Sequence, residues 1–155
     1  MIRTLTFVLL IVCVIDVSYG AVSLKPYNET ASGMFAATDY DSDGVITRVE
    51  IEASFDKYDA NGDGKESRHE YTEFVCATSP ILYQLSHYLY DEYDSDGDHH
   101  LEKHDYDALF DKMDTDKDGS VTEDEFISYW EVVFPKYETV GQHGQSHLHG
   151  HSACH

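Results

Sequence analysis

Residues Asp39 to Glu50 read DYDSDGVITRVE. Carboxylates fall at the first, third, fifth and twelfth places, glycine at the sixth and an apolar residue, Ile46, at the eighth. Three further segments share this frame: DANGDGKESRHE from Asp59, DSDGDHHLEKHD from Asp94 and DTDKDGSVTEDE from Asp114. An aromatic stands four residues before each segment, in turn Phe35, Phe55, Tyr90 and Phe110. An apolar residue follows each directly: Ile51, Tyr71, Tyr106 and Phe126. A unit that recurs with its flanks is an internal repeat, and its period governs the fold. So many like charges in one turn repel one another and call for a cation.

The ligand chemistry names the class of cation. Calcium is a hard ion that takes six to eight oxygens, and the pattern D-x-[DN]-x-[DN]-G-x₅-E supplies them from one loop. Three of the four segments satisfy that pattern in full. On these motifs, residues 33 to 134 resemble the EF-hand calcium-binding family, and the resemblance implies an all-α fold of four calcium loops with their flanking helices. The first loop would offer Asp39, Asp41, Asp43, the Val45 carbonyl, Thr47 directly or through water, and Glu50. The second would offer Asp59, Asn61, Asp63, the Lys65 carbonyl, Ser67 and Glu70, and the fourth Asp114, Asp116, Asp118, the Ser120 carbonyl, Thr122 and Glu125. Gly44, Gly64 and Gly119 mark the turns, where positive φ is needed. The third loop would use Asp94, Asp96, Asp98, the His100 carbonyl and Asp105, with Glu102 at the water-mediated place. It departs twice, with His99 for the turn glycine and the shorter Asp105 for the closing glutamate, so it is expected to bind calcium last or not at all. His99, His100 and His104 are taken as incidental there. In the second loop Glu66 replaces the apolar eighth residue, which predicts weaker pairing.

Spacing sets the architecture. Only IEASFDKY (51–58) separates the first loop from the second, and only YDALFDKM (106–113) separates the third from the fourth. Each link is one short helix that leaves one loop and enters the next. Residues 71–93 leave room for two helices, one near 70–77 and one near 80–93, with Ser79 and Pro80 as start signals. The second loop should therefore pair with the third, and the first with the fourth. The expected core is Phe35, Phe55, Tyr71, Phe74, Tyr90, Tyr106, Leu109, Phe110, Phe126, Tyr129 and Trp130.

The rest of the chain bounds the setting. Arg3, the short apolar run of Leu5 to Ile15 and small residues before Ala21 form a secretory signal over residues 1–20. Residues 21–32 form an N-terminal segment, 33–78 hold the first two loops, 79–135 the other two, and 136–155 a disordered His-rich tail. A formal charge of −20 repels nucleic acid and anionic membranes. No later stretch is apolar enough to span a membrane. Cys76 and Cys154 are left either to pair or to stay free. Asn28 begins the glycosylation signal Asn28-Glu29-Thr30. In the tail, His147, His149 and His151 alternate, a pattern suited to Cu²⁺ or Zn²⁺.

These readings predict a secreted, extracellular calcium carrier or matrix component, with mineralising matrices as the context by resemblance. The rival is a calcium-dependent module that docks a partner protein. An enzyme is not expected: His100 to His104 reads HLEKH, not the zinc-protease H-E-x-x-H, and no nucleophile or phosphate motif occurs.

Overall fold

A computed structural model of the chain describes residues 24–78 and 83–138. Among these residues six helices and four two-residue strands follow in order: α1 (Tyr27–Thr38), β1 (Val45–Ile46), α2 (Arg48–Tyr58), β2 (Glu66–Ser67), α3 (Arg68–Thr78), α4 (Tyr83–Tyr93), β3 (His100–Leu101), α5 (Lys103–Met113), β4 (Val121–Thr122) and α6 (Glu123–Glu138). The short strands make two antiparallel bridges. β1 pairs with β4, setting Ile46 against Val121, and β2 pairs with β3, setting Glu66 against Leu101. The first acidic segment thus faces the fourth and the second faces the third, as the intervals require. Both bridges cross the predicted boundary at 78/79, so the two sequence halves interlock.

Helix α2 leaves β1 and runs into the second acidic segment, and α5 does the same from β3 to the fourth. These two helices pack together, while α1 lies on α6 and α3 on α4. The tenth residue of each segment, the first of the outgoing helix, meets the neighbour. Arg48 reaches Asp107 at 3.1 Å, pairs with Asp111 and lies over the Phe110 ring at 4.3 Å. Lys103 returns from α5 to Glu52 on α2. Arg68 donates to the His87 carbonyl at 2.9 Å and pairs with Asp91, and Ser32 donates to Glu123.

Burial of aromatic rings holds the helices together. Phe35 meets Phe126 edge-on at 5.7 Å, Phe55 meets Tyr106 at 5.5 Å, and Trp130 stacks on Phe134 at 5.2 Å. Most of the expected core is buried, but Phe74 and Tyr129 stay partly exposed, and Ile46, Leu101, Met113, Val121 and Phe134 join it. The last helix corrects the tail boundary. It passes through Pro135 to Glu138, because Tyr137 donates to Glu92 at 2.6 Å and stacks on Tyr88 at 5.6 Å. The helices predicted near 70–77 and 80–93 run from Arg68 to Thr78 and from Tyr83 to Tyr93. The Ser79 and Pro80 start signals lie outside the described residues, as do the signal segment, Cys154 and the three tail histidines. Cys76 is disulfide-bonded. Asn28 is exposed in the first turn of α1, and the Thr30 hydroxyl donates to the Leu24 carbonyl at 3.0 Å.

Candidate metal centres

The four acidic segments share one wiring. In each, the first aspartate takes the backbone N–H of the sixth residue: Gly44 to Asp39 at 3.0 Å, Gly64 to Asp59 at 2.9 Å, His99 to Asp94 at 3.0 Å and Gly119 to Asp114 at 3.1 Å. The fifth aspartate takes the N–H of the seventh: Val45 to Asp43, Lys65 to Asp63, His100 to Asp98 and Ser120 to Asp118, all at 2.8 to 3.0 Å. Each turn needs positive φ at the sixth residue, +93° at Gly44, +84° at Gly64 and +91° at Gly119, and His99 adopts +70°. The fourth residue is also left-handed in every segment, at Ser42, Gly62, Gly97 and Lys117. Sequence reading missed that second turn, because two of the four residues there are not glycine.

The closing carboxylate locks the two ends of each segment. One Glu50 oxygen accepts the Tyr40 N–H at 2.8 Å, and the other accepts the Thr47 N–H at 2.8 Å and its hydroxyl at 2.9 Å. Glu125 does the same with Thr115 at 2.9 Å and Thr122 at 3.0 Å. Glu70 takes the Asn61 side-chain amide at 2.7 Å and the Ser67 N–H at 2.9 Å. The third segment reaches the same closure with a shorter side chain. Fully buried Asp105 accepts the Ser95 N–H at 2.8 Å on one oxygen and the Glu102 N–H at 2.9 Å on the other. Both of its oxygens are thus engaged by backbone donors.

This wiring reverses the expected electrostatics. Crowding alone raises carboxylate pKa values. The Thr122 N–H instead holds Glu125 down to about 2, the Ser67 N–H lowers Glu70, and the Asp98 N–H lowers Asp96. At these three groups donors to the ionised form outweigh mutual repulsion, whereas desolvation and its acidic neighbours raise Asp41. In the first, third and fourth segments the three aspartates bring one oxygen each within 4.8 Å of the others. In the second, the middle place is the neutral Asn61. Oxygen donors so gathered fit a hard divalent ion. Thr47, Ser67 and Thr122 spend their hydroxyls on the closing carboxylate, while the Ser120 hydroxyl donates to Asp118 at 2.6 Å.

Two residues make contacts that their sequence positions do not announce. Glu66 takes part in the second bridge, where weaker pairing is expected. Its side chain is wholly buried and accepts the Tyr106 hydroxyl at 2.7 Å, while the Tyr90 hydroxyl caps its carbonyl at 2.9 Å. Burial pushes its carboxyl up to about 8. His104, taken as incidental, turns into the third segment. Its Nε2 lies 3.1 Å from Asp96 Oδ2 and 3.6 Å from Asp105 Oδ2. The hydrogen bond to Asp96 raises its pKa. Lys65 crosses from the second segment to pair with Glu102. Among the described residues, no helix is long and apolar enough to cross a membrane.

A family model for the EF-hand domain pair matches residues 29–131. No curated protein and no solved structure matches the chain. The match takes in all four acidic segments and the helices between them, and it covers more than half of the 155 residues. The chain belongs to the EF-hand domain pair family, whose members bind calcium.

Proposed function

We propose that the chain is a secreted calcium carrier or matrix component whose fold is tightened by calcium at the first, second and fourth segments. The ligands there are the carboxylates and Asn61 named above, the carbonyls of Val45, Lys65 and Ser120, and the closing Glu50, Glu70 and Glu125. On this reading α2 and α5 are each shared between consecutive calcium loops. The observation that carries it is the repeated closure, in which one glutamate already ties the second or third residue of each of these segments to the ninth. Calcium supplies the charge that balances the gathered acids. Outside the cell its concentration is high, so sites of about 10⁻⁴–10⁻³ M stay loaded. The secretory signal over residues 1–20 and the acidic surface motivate the extracellular setting. A matrix or mineral surface is the partner proposed by resemblance, and no catalytic step is assigned.

Met113 is buried and Met34 packs against the core, which supports a carrier over a module that opens a methionine-rich groove. Calorimetric titration with calcium tests the proposal. Three sites are expected, and Glu50→Gln, Glu70→Gln and Glu125→Gln should each remove one. Fewer than three sites in the unsubstituted chain would overturn it. Calcium should also leave the fluorescence of an apolar-surface dye unchanged, whereas a rise would favour the docking module.

A further inference from the structure

The third segment differs from its siblings in having an imidazole inside the ligand cluster. We propose that it is a mixed nitrogen and oxygen site for a zinc-class ion, held by His104 Nε2, Asp96 and Asp105. Zinc binds imidazole nitrogen at about 2.0–2.1 Å and carboxylate oxygen at about 2.0–2.2 Å, in a tetrahedron. Ligand atoms on such a tetrahedron stand about 3.3–3.4 Å apart. The two measured separations from Nε2, 3.1 Å to Asp96 and 3.6 Å to Asp105, straddle that edge. All three ligand atoms lie within 4.8 Å of one another. Small shifts of an exposed imidazole suffice to close on an ion, and water supplies the fourth position.

The surroundings of the ring match the same use. A metal-bound imidazole characteristically turns its other nitrogen to a carboxylate, which fixes the ring and strengthens the ligand. His104 Nδ1 faces Glu102 Oε2 at 3.7 Å, and Lys65 pairs with the other Glu102 oxygen. Asp105 is fixed by donors on both oxygens and has no exposure. His69 provides an internal comparison, since it occupies the equivalent eleventh place of the second segment. Its Nε2 turns away to Glu73 at 3.4 Å, while the longer Glu70 closes that loop. A histidine at this register does not enter the ligand cluster by default. Here it enters beside a short closing Asp105 and a charged Asp96, where the second segment has Glu70 and the neutral Asn61.

Selectivity follows from the donor atoms. Calcium gains little from nitrogen, whereas imidazole suits zinc and its neighbours. The inference rests on the third segment being an ion-binding loop, and not on calcium binding at the other three.

The test is calorimetry of the full chain with ZnCl₂ in saturating calcium, after His147, His149 and His151 are replaced by alanine to silence the tail. One zinc site is expected. His104→Gln, which keeps a hydrogen-bonding group beside Asp96, should weaken zinc at least 100-fold. Glu102→Gln should weaken it about 10-fold or more, and His69→Ala should leave it unchanged. With Co²⁺ as the probe, a tetrahedral visible spectrum should appear and vanish in His104→Gln. Calcium binding that His104→Gln leaves intact establishes that the variant is folded. No zinc uptake, or uptake indifferent to His104, overturns the proposal. Zinc uptake without three calcium sites would overturn the calcium reading alone.

Discussion

Glu66 offers the sharpest test of how the two bridges are built. It stands where the other segments carry Ile46, Leu101 and Val121, and it is equally buried. One carboxyl oxygen accepts the Tyr106 hydroxyl at 2.7 Å, and the other has no hydrogen-bond partner. A buried polar atom without a partner costs about 1–3 kcal/mol. Replacing Glu66 by leucine removes that cost but strands the Tyr106 hydroxyl at a similar one, so the single change should leave stability nearly level. Replacing Tyr106 by phenylalanine keeps the ring against Phe55 and Tyr93 and strands the second oxygen. It should destabilise by about 1–3 kcal/mol. The double variant removes every orphaned group of this pair and should exceed the parent by about 1–3 kcal/mol. Urea unfolding of all four proteins, in chelator at pH 6, gives the comparison through midpoints at constant slope. The reasoning fails if the double variant is no more stable than the parent, or if the two single effects add within about 0.5 kcal/mol.

The same carboxyl imposes a pH dependence. Burial raises it from 4.5 to about 8, so the folded chain holds a proton that the unfolded chain releases. Its contribution is complete below the ordinary carboxylate range and is lost as pH rises toward 8, at about 1.4 kcal/mol per pH unit. Urea midpoints in chelator between pH 5.5 and 7.5 should fall on that account, and Glu66→Gln should flatten the decline. His99→Gly should stabilise the metal-free chain by up to about 1 kcal/mol, because φ of +70° strains a residue with a Cβ; a lower thermal midpoint would refute this. Ending the chain after Phe134 removes the Tyr137 bond to Glu92 and its stacking on Tyr88, and should cost about 1–2 kcal/mol. Both this chain and one ending after Glu138 are compared with the Cys76 disulfide reduced, so that the thermal midpoint reads the Tyr137 contacts; equal midpoints would overturn the assignment.

Spacing made the pairing of the segments legible. Eight residues at 51–58 and at 106–113 admit one helix each, and only the interval 71–93 admits two, so the facing partners follow from chain lengths. The gathering of the aspartates was legible because the repeat sets residue type at fixed intervals. What escaped depends on neighbours far away in sequence. Glu66 looks unfit for a buried bridge until Tyr106, from the other half, supplies its donor. Ser42 and Lys117 hide a left-handed turn that glycine declares openly at Gly62 and Gly97. His69 and His104 are indistinguishable by register, and what separates their fates is the length of the closing side chain together with the third place, Asn61 in one segment and Asp96 in the other. The reach of α6 past Pro135 depended on Glu92, a residue on another helix, and no tail pattern reveals that.

The central helix pair explains why bound ions should tighten this fold and not open it. α2 spans 11 residues, about 16 Å, from the first bridge to the second acidic segment. α5 is the same length and lies beside it. A helix that swung outward on filling the first segment would drag the second with it. It would also break the Arg48 contacts with Asp107, Asp111 and Phe110, and the return contact of Lys103 with Glu52. Each crossing is partly solvated and is worth about 1 kcal/mol or less singly. Together with the two bridges, however, they span both ends of the same pair. Motion at one segment is therefore opposed by three others, and on the proposed reading the free energy of ion binding would go into stability.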